Sequence, residues 1–181
     1  MGKSRERTME SILKAAKKKF GEHGYEGTSI QEIAIEAKVN VSMASYYFNG
    51  KESLYYEVFK KYSVANALPN FLEKNQFDPI NALKEYLHVF VAQIKENPEI
   101  GTLVYGELLK ESARIEKIKP YIIGNFEQLK EILQEGERQG VFYFFSINYT
   151  IHWITSIATF PKLKKMYDSL GKDEQNHYYF N

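Results

Sequence analysis

Apolar residues recur at steps of three and four along most of the chain, and no stretch alternates as a half-buried strand would. Met9, Ile12, Leu13, Ala16 and Phe20 form the first stripe, with Lys14, Lys17, Lys18 and Lys19 mostly off it. Gly21 and Gly24 mark its end. A second helix is predicted from Thr28, whose hydroxyl caps free backbone N–H groups while Gln31 supplies the other half of a capping box. Its buried face is Ile30, Ile33, Ala34 and Ala37. Lys38, Val39 and Asn40 then lead into a two-turn run, Val41 to Phe48, capped by Asn40 and broken by Asn49-Gly50. From Lys51 a longer helix carries Leu54, Val58, Phe59 and Tyr62 on one side.

Pro69 and the segment Gln76-Phe77-Asp78-Pro79 end that helix and start the next, with Asp78 as cap and Pro79 in the first turn. Leu83, Leu87, Phe90, Val91 and Ile94 line its buried face. Asn97-Pro98-Glu99 repeats the start signal ahead of Ile100, Leu103, Val104 and Leu108. Pro120 is placed in the first turn of a helix over about 118–138, packed through Ile122, Phe126, Leu129, Ile132 and Leu133. A last helix spans roughly 146–167, followed by a polar tail. The fold class is all-α: a three-helix unit over 1–50, a connecting helix over 51–74, and a larger helical domain over 75–181.

Charge refines this picture only slightly. The net charge is +1, but residues 1–62 hold eleven Lys/Arg against eight Asp/Glu, and the remainder thirteen against fifteen. A mildly basic N-terminal third has the sign that nucleic-acid binding needs. Cysteine is absent, which excludes disulfides, thiolate catalysis and cysteine-held metal sites and is compatible with a reducing, cytoplasmic setting. The residues from Met1 to Arg7 have no apolar run behind them and do not read as a signal peptide. Gly140 to Pro161 lacks Lys, Arg, Asp and Glu and approaches membrane-span length. Asn148, His152, Ser156 and Thr159 nevertheless give it a polar stripe, so it reads as a helix buried among protein helices, and no membrane partner is expected.

Two short helices joined by a three-residue turn match the helix-turn-helix pattern, in which the second helix enters the major groove. On that second helix Ser42, Ser45, Tyr46 and Tyr47 offer hydroxyls to phosphates or base edges, and Val41 and Met43 can meet a thymine methyl. Lys51 opens the following helix, where its charge adds to the helix dipole facing a phosphate. Lys3, Arg5 and Arg7 precede the first helix as a flexible basic arm.

The run Ile12-Leu13-Lys14-Ala15-Ala16, Phe20, Gly24-Tyr25, Thr28-Ser29-Ile30, Ile33-Ala34, Ala37-Lys38-Val39, Tyr47-Phe48, Lys51-Glu52 and Leu54 resembles the N-terminal domain of the TetR/AcrR family of regulators. The resemblance covers about a quarter to a third of the chain. It implies a three-helix DNA-binding unit, a linking fourth helix, and a divergent helical domain that binds a small-molecule effector and forms a homodimer through its last two long helices. It further implies backbone contacts to near-palindromic operator DNA from Thr28, Tyr46, Tyr47 and Lys51, with Ser29 in the same interface. Lys38 departs from the family's usual turn glycine, which calls for a left-handed residue or a different turn. Ala44-Ser45 replaces a common Leu-Tyr pair.

Two other readings stand beside this one. Glu85 and His88 have the spacing of a di-iron carboxylate helix, but no second such pair exists, and no nucleophile elbow, phosphate loop or dinucleotide fingerprint appears. A surface or core histidine is the plainer account, and no metal, cofactor or enzymatic activity is expected. A helical ligand-binding module without DNA would have to explain away the reader helix. Lys17, Lys18 and Lys19 read as a solvated face. Phe90, Tyr105, Phe126, Asn148, Tyr149, His152 and Trp153 are candidates for an apolar ligand cavity, with Asn148 and His152 orienting the ligand.

Overall fold

The computed structural model describes residues 2–64, 67–68 and 77–159, and every regular element among them is a helix. In chain order these are α1 (Gly2–His23), α2 (Ile30–Ala37), α3 (Val41–Phe48), α4 (Lys51–Tyr62), α5 (Pro79–Glu96), α6 (Pro98–Leu109), α7 (Arg114–Arg138) and α8 (Ile147–Thr159). The expected polar tail, the end of the last helix and most of the 63–76 segment lie outside the described residues.

Several boundaries differ from the sequence-based expectation, each for a local reason. The basic arm is not a loose extension, because α1 already begins at Gly2 and includes Arg5 and Arg7. Helix α2 is capped by Ser29 rather than Thr28. The Ser29 side chain accepts from the Glu32 N–H at 3.2 Å, and the Ser29 N–H donates to Glu32 Oε2 at 2.7 Å, completing a capping box one residue later than expected. Helix α7 starts at Arg114, which puts Pro120 inside the helix. Proline removes one backbone hydrogen bond there, but Glu116 and Pro120 are both exposed, so solvent can reach the freed carbonyl.

Two cores organise the chain. The first joins Ile12, Ala16 and Phe20 of α1 to Ile33, Ala44, Phe48, Leu54, Tyr55 and Phe59, and it continues into Leu103 of α6 and Ile118 of α7. The second is built from Tyr86 and Phe90 of α5 and Leu129, Ile132 and Leu133 of α7, with Ile147, Ile151 and Ile154 of α8 against it. Because the first core crosses from the N-terminal helices into α6 and α7, the head is packed directly onto the body. Gly21 makes the closest approach possible: a Cβ there would lie 2.6 Å from Cβ and Cγ of Glu99.

Candidate nucleic-acid interface and ligand cavity

The helix-turn-helix is set by its caps. Lys38 ends α2 in the left-handed conformation (φ 57°, ψ 41°), its N–H turned back to the carbonyls of Ala34 and Ile35. A turn glycine is therefore replaced by a lysine in the same backbone state, at a modest conformational cost. Asn40 then caps α3, its Oδ1 accepting from the Ser42 N–H and the Ser42 hydroxyl, each at 2.9 Å. Ser11 of α1 braces the pair by donating to the Ala37 carbonyl at 3.0 Å.

Ala44 and Phe48 fix which side of α3 faces inward. The outward side presents Ser42, Met43 and Tyr46, with Val41, Ser45 and Tyr47 half-buried at its edges. The Arg5 guanidinium lies 5.6 Å from the Tyr47 ring centroid, so the start of α1 reaches α3. That pairing joins residues far apart in sequence and carries no short-range signal. Ser29 is exposed at the start of α2.

Two of the expected DNA contacts are engaged within the protein. Thr28 is only 2% exposed, and its hydroxyl lies 2.8 Å from the Gly24 carbonyl oxygen and 3.1 Å from that of Lys19. It closes the α1–α2 loop. Lys51 donates to the Tyr25 and Thr28 carbonyls at 2.9 and 3.0 Å and sits 4.3 Å from the Tyr25 ring centroid. Its ammonium ties α4 to that same loop.

Tyr25 also holds the guanidinium of Arg114, 4.2 Å from its ring centroid. Arg114 binds Glu26 at 3.0 Å and both oxygens of Glu107 at 3.1 and 3.3 Å. Tyr55 donates to Glu107 Oε1 at 2.9 Å. Glu107 is 4% exposed, and burial alone would raise its pKa. Hydrogen bonds from Ser112, Tyr55 and Arg114 outweigh that and hold the carboxyl below the usual carboxylate range. Burial, and then the bond to Glu107, push the Tyr55 phenol well above its ordinary value.

A second tie lies at the other end of α6. Lys17, read from sequence as solvated, is largely covered and donates to Asn97 Oδ1 at 2.8 Å. Its ammonium is 3.6 Å from Glu99 Oε2 and 4.7 Å from the Tyr62 ring centroid. Lys18 and Lys19 fit the surface reading better, pairing with Glu36 and Glu22.

Between these ties, α4, α5, α6, α7 and α8 enclose a cavity of about 570 Å³. Ile100, Val104 and Leu108 of α6 form one wall, and Phe90, Ile122 and Phe126 stand among the other apolar lining residues. Tyr105, Asn125, His152, Thr155 and Ser156 add polar groups. Four of the seven expected ligand residues, Phe90, Tyr105, Phe126 and His152, are in this lining; Asn148, Tyr149 and Trp153 are not. Asn148 is exposed in the first turn of α8. Tyr149 and Trp153 continue to Ile157 on another face, 66%, 69% and 84% exposed, beside Tyr143 and Phe145. Glu85 and His88 are both exposed, and among the described residues no group of three or more His, Asp or Glu is placed to hold a metal. No helix among them is long and apolar enough to cross a membrane.

Residues 12–58 match the family described as bacterial regulatory proteins, tetR family. The chain is 82% identical to HlyIIR, a hemolysin II transcriptional regulator, with 91% of this chain and 92% of that one aligned and a TM-score of 0.82. The chain belongs to the TetR family. It is a DNA-binding transcription regulator, and the matched residues run from α1 through α4. Among its relatives is the transcriptional repressor NicS of Pseudomonas putida, 31% identical over 141 residues, which are 76% of this chain and 66% of NicS. The fold is shared with FadR of Bacillus subtilis, solved with stearoyl-CoA, at 20% identity and a TM-score of 0.69 over 86% of this chain and 88% of that one.

Proposed function

We propose that this TetR-family protein is a cytoplasmic homodimeric repressor, released from a near-palindromic operator when a small molecule fills the cavity above α6. The observation that carries this reading is the double duty of α6. Ile100 and Val104 face the cavity, while Asn97 and Glu107 at the helix's ends are bonded to the head through Lys17 and through Tyr55 with Arg114. A ligand that displaces α6 in one state and not the other shifts the head's position by differential binding. The lining favours a largely apolar effector carrying a hydroxyl or carbonyl within reach of Tyr105, Asn125 or His152.

The exposed stripe Tyr149, Trp153 and Ile157 on α8 supports a second copy as its cover, with α7 and α8 pairing with their symmetry mates. Two reader helices then meet successive major grooves about one DNA turn apart. High identity to a regulator of hemolysin II makes a hemolysin gene the first target to test.

The test is binding to a fragment from upstream of such a gene, with and without small-molecule extract of the source cells. A cavity-filling variant, Val104→Trp, is measured alongside. Release of the wild type but not of the variant is expected. Identical release of both would remove the cavity from the mechanism, and no binding to the fragment would remove the target.

A further inference from the structure

The reader helix α3 has an unusual chemical inventory for its task. From Val41 to Phe48 it contains no Arg, Lys, Asp, Glu, Asn or Gln. The side chains that most directly specify guanine or adenine are the forked Arg or Lys and the amides of Asn and Gln. The neighbouring polar groups are engaged elsewhere: Arg5 reaches α3 from α1 but stacks over the Tyr47 ring. Asn40 uses its Oδ1 to cap the helix, and Lys51 is bonded to the Tyr25 and Thr28 carbonyls. Gln31 and Lys38 belong to α2 and its end, the helix that crosses the phosphate backbone in this motif.

What α3 does offer at its N-terminal half is apolar. Val41 is half-buried and Met43 is 37% exposed, one on each side of Ser42. The Ser42 hydroxyl already donates to Asn40 Oδ1, so towards DNA it presents lone pairs. We infer that this protein selects its operator chiefly through thymine methyl groups packed on Val41 and Met43, with Ser42 accepting from a base amino group and no bidentate guanine contact. The specific part of each half-site is therefore a T-containing, A·T-rich core. This rests on α3 being the groove-reading helix and goes beyond it by naming what the helix reads.

The test starts from the full-length protein and a random duplex library. The best-bound duplex is resynthesised with deoxyuridine at each thymine in turn, which deletes only the 5-methyl group. A second series places 7-deazaguanine at each guanine, which deletes the N7 acceptor. Uracil at one or two positions per half-site should weaken binding about fourfold each, the value of one buried methyl-sized group. No 7-deazaguanine position should matter comparably. In Met43→Ala, altered at an exposed site, or in Val41→Thr, which keeps the branched shape of a half-buried residue packed against the first core, the matching uracil effect should vanish while binding to the uracil duplex stays near wild type. A flat response to uracil, or a tenfold loss at a guanine, overturns the inference while leaving DNA binding intact. Enrichment of no duplex at all by folded dimer overturns the groove-reading role of α3 itself.

Discussion

Lys17 of α1 donates to Asn97 Oδ1 at 2.8 Å, a bond between residues 80 positions apart that joins the DNA-binding head to the turn preceding α6. The same ammonium faces Glu99 and Tyr62, and Tyr62 and Asn97 both line the cavity. The cavity wall and the head thus share one cation.

Removing that cation should loosen the joint without unfolding either core. Lys17→Ala is expected to lower stability by about 2 kcal/mol, the range for a hydrogen bond to a charged group. Denaturation followed by hydrogen exchange should show α1 opening before α5 and α7. Simultaneous opening in the variant would mean that Lys17 carries no coupling.

Gly21 sets two effects of opposite sign against each other. Alanine in a helix interior is favoured over glycine by about 1 kcal/mol. The added Cβ would also meet Glu99 Cβ at 2.6 Å, and Glu99 Cα lies 3.4 Å away, so the start of α6 must move. Overpacking costs about 1–3 kcal/mol, so Gly21→Ala should be net destabilising, read as a lower urea midpoint. A raised midpoint would show that α6 yields freely at this point.

The Glu107 carboxyl is held below its ordinary pKa in the folded protein. A group depressed in this way contributes stability that is complete above its unfolded pKa of about 4.3 and is lost as pH falls through the folded value. The melting temperature should therefore drop below about pH 4, and Glu107→Gln should flatten that part of the curve. Arg114→Met leaves the carboxylate buried without its cation and should cost about 3–5 kcal/mol at neutral pH.

Lys51 separates a structural from an electrostatic role. Because its ammonium is bonded to the carbonyls of Tyr25 and Thr28, Lys51→Ala should weaken operator affinity through a misplaced α1–α2 loop. The slope of log affinity against log salt should stay unchanged. A slope reduced by about one would instead mark a lost phosphate contact.

The α8 stripe predicts the assembly state. Trp153→Arg should give monomers by sedimentation and abolish operator binding at concentrations where the wild type binds, since each half-site alone is weak. Dimers persisting in this variant would place the interface elsewhere.

The helical plan is readable because its signals are local: Asn40, Asp78 and Pro98 start helices, and Ile33 with Ala37 in α2 and Ala44 with Phe48 in α3 repeat at helical spacing. The start of α2 is ambiguous by one residue in sequence because Thr28 and Ser29 both carry hydroxyls and are followed at equal spacing by Gln31 and Glu32; burial of Thr28 distinguishes them. Lys17 reads as solvated because a lysine's own neighbours do not reveal whether a distant turn will cover it. In the same way, His152 and Trp153 are adjacent and both suited to a cavity, yet helix rotation sends one to the chamber and the other to the outer face. Sequence spacing gives the three faces of α8 but not what each will meet.

Helix α6 presents the cavity with Ile100 and Val104 and buries Leu103 in the core shared with the head, all within a turn and a half. Substitutions that recut the chamber for a different molecule are therefore felt by the residues that hold the head in place. In a lineage acquiring a new inducer, changes at these positions would alter basal occupancy of the promoter together with inducer range. Compensating changes are then to be sought at Lys17 and Arg114, where the two can be retuned without touching the chamber's apolar wall.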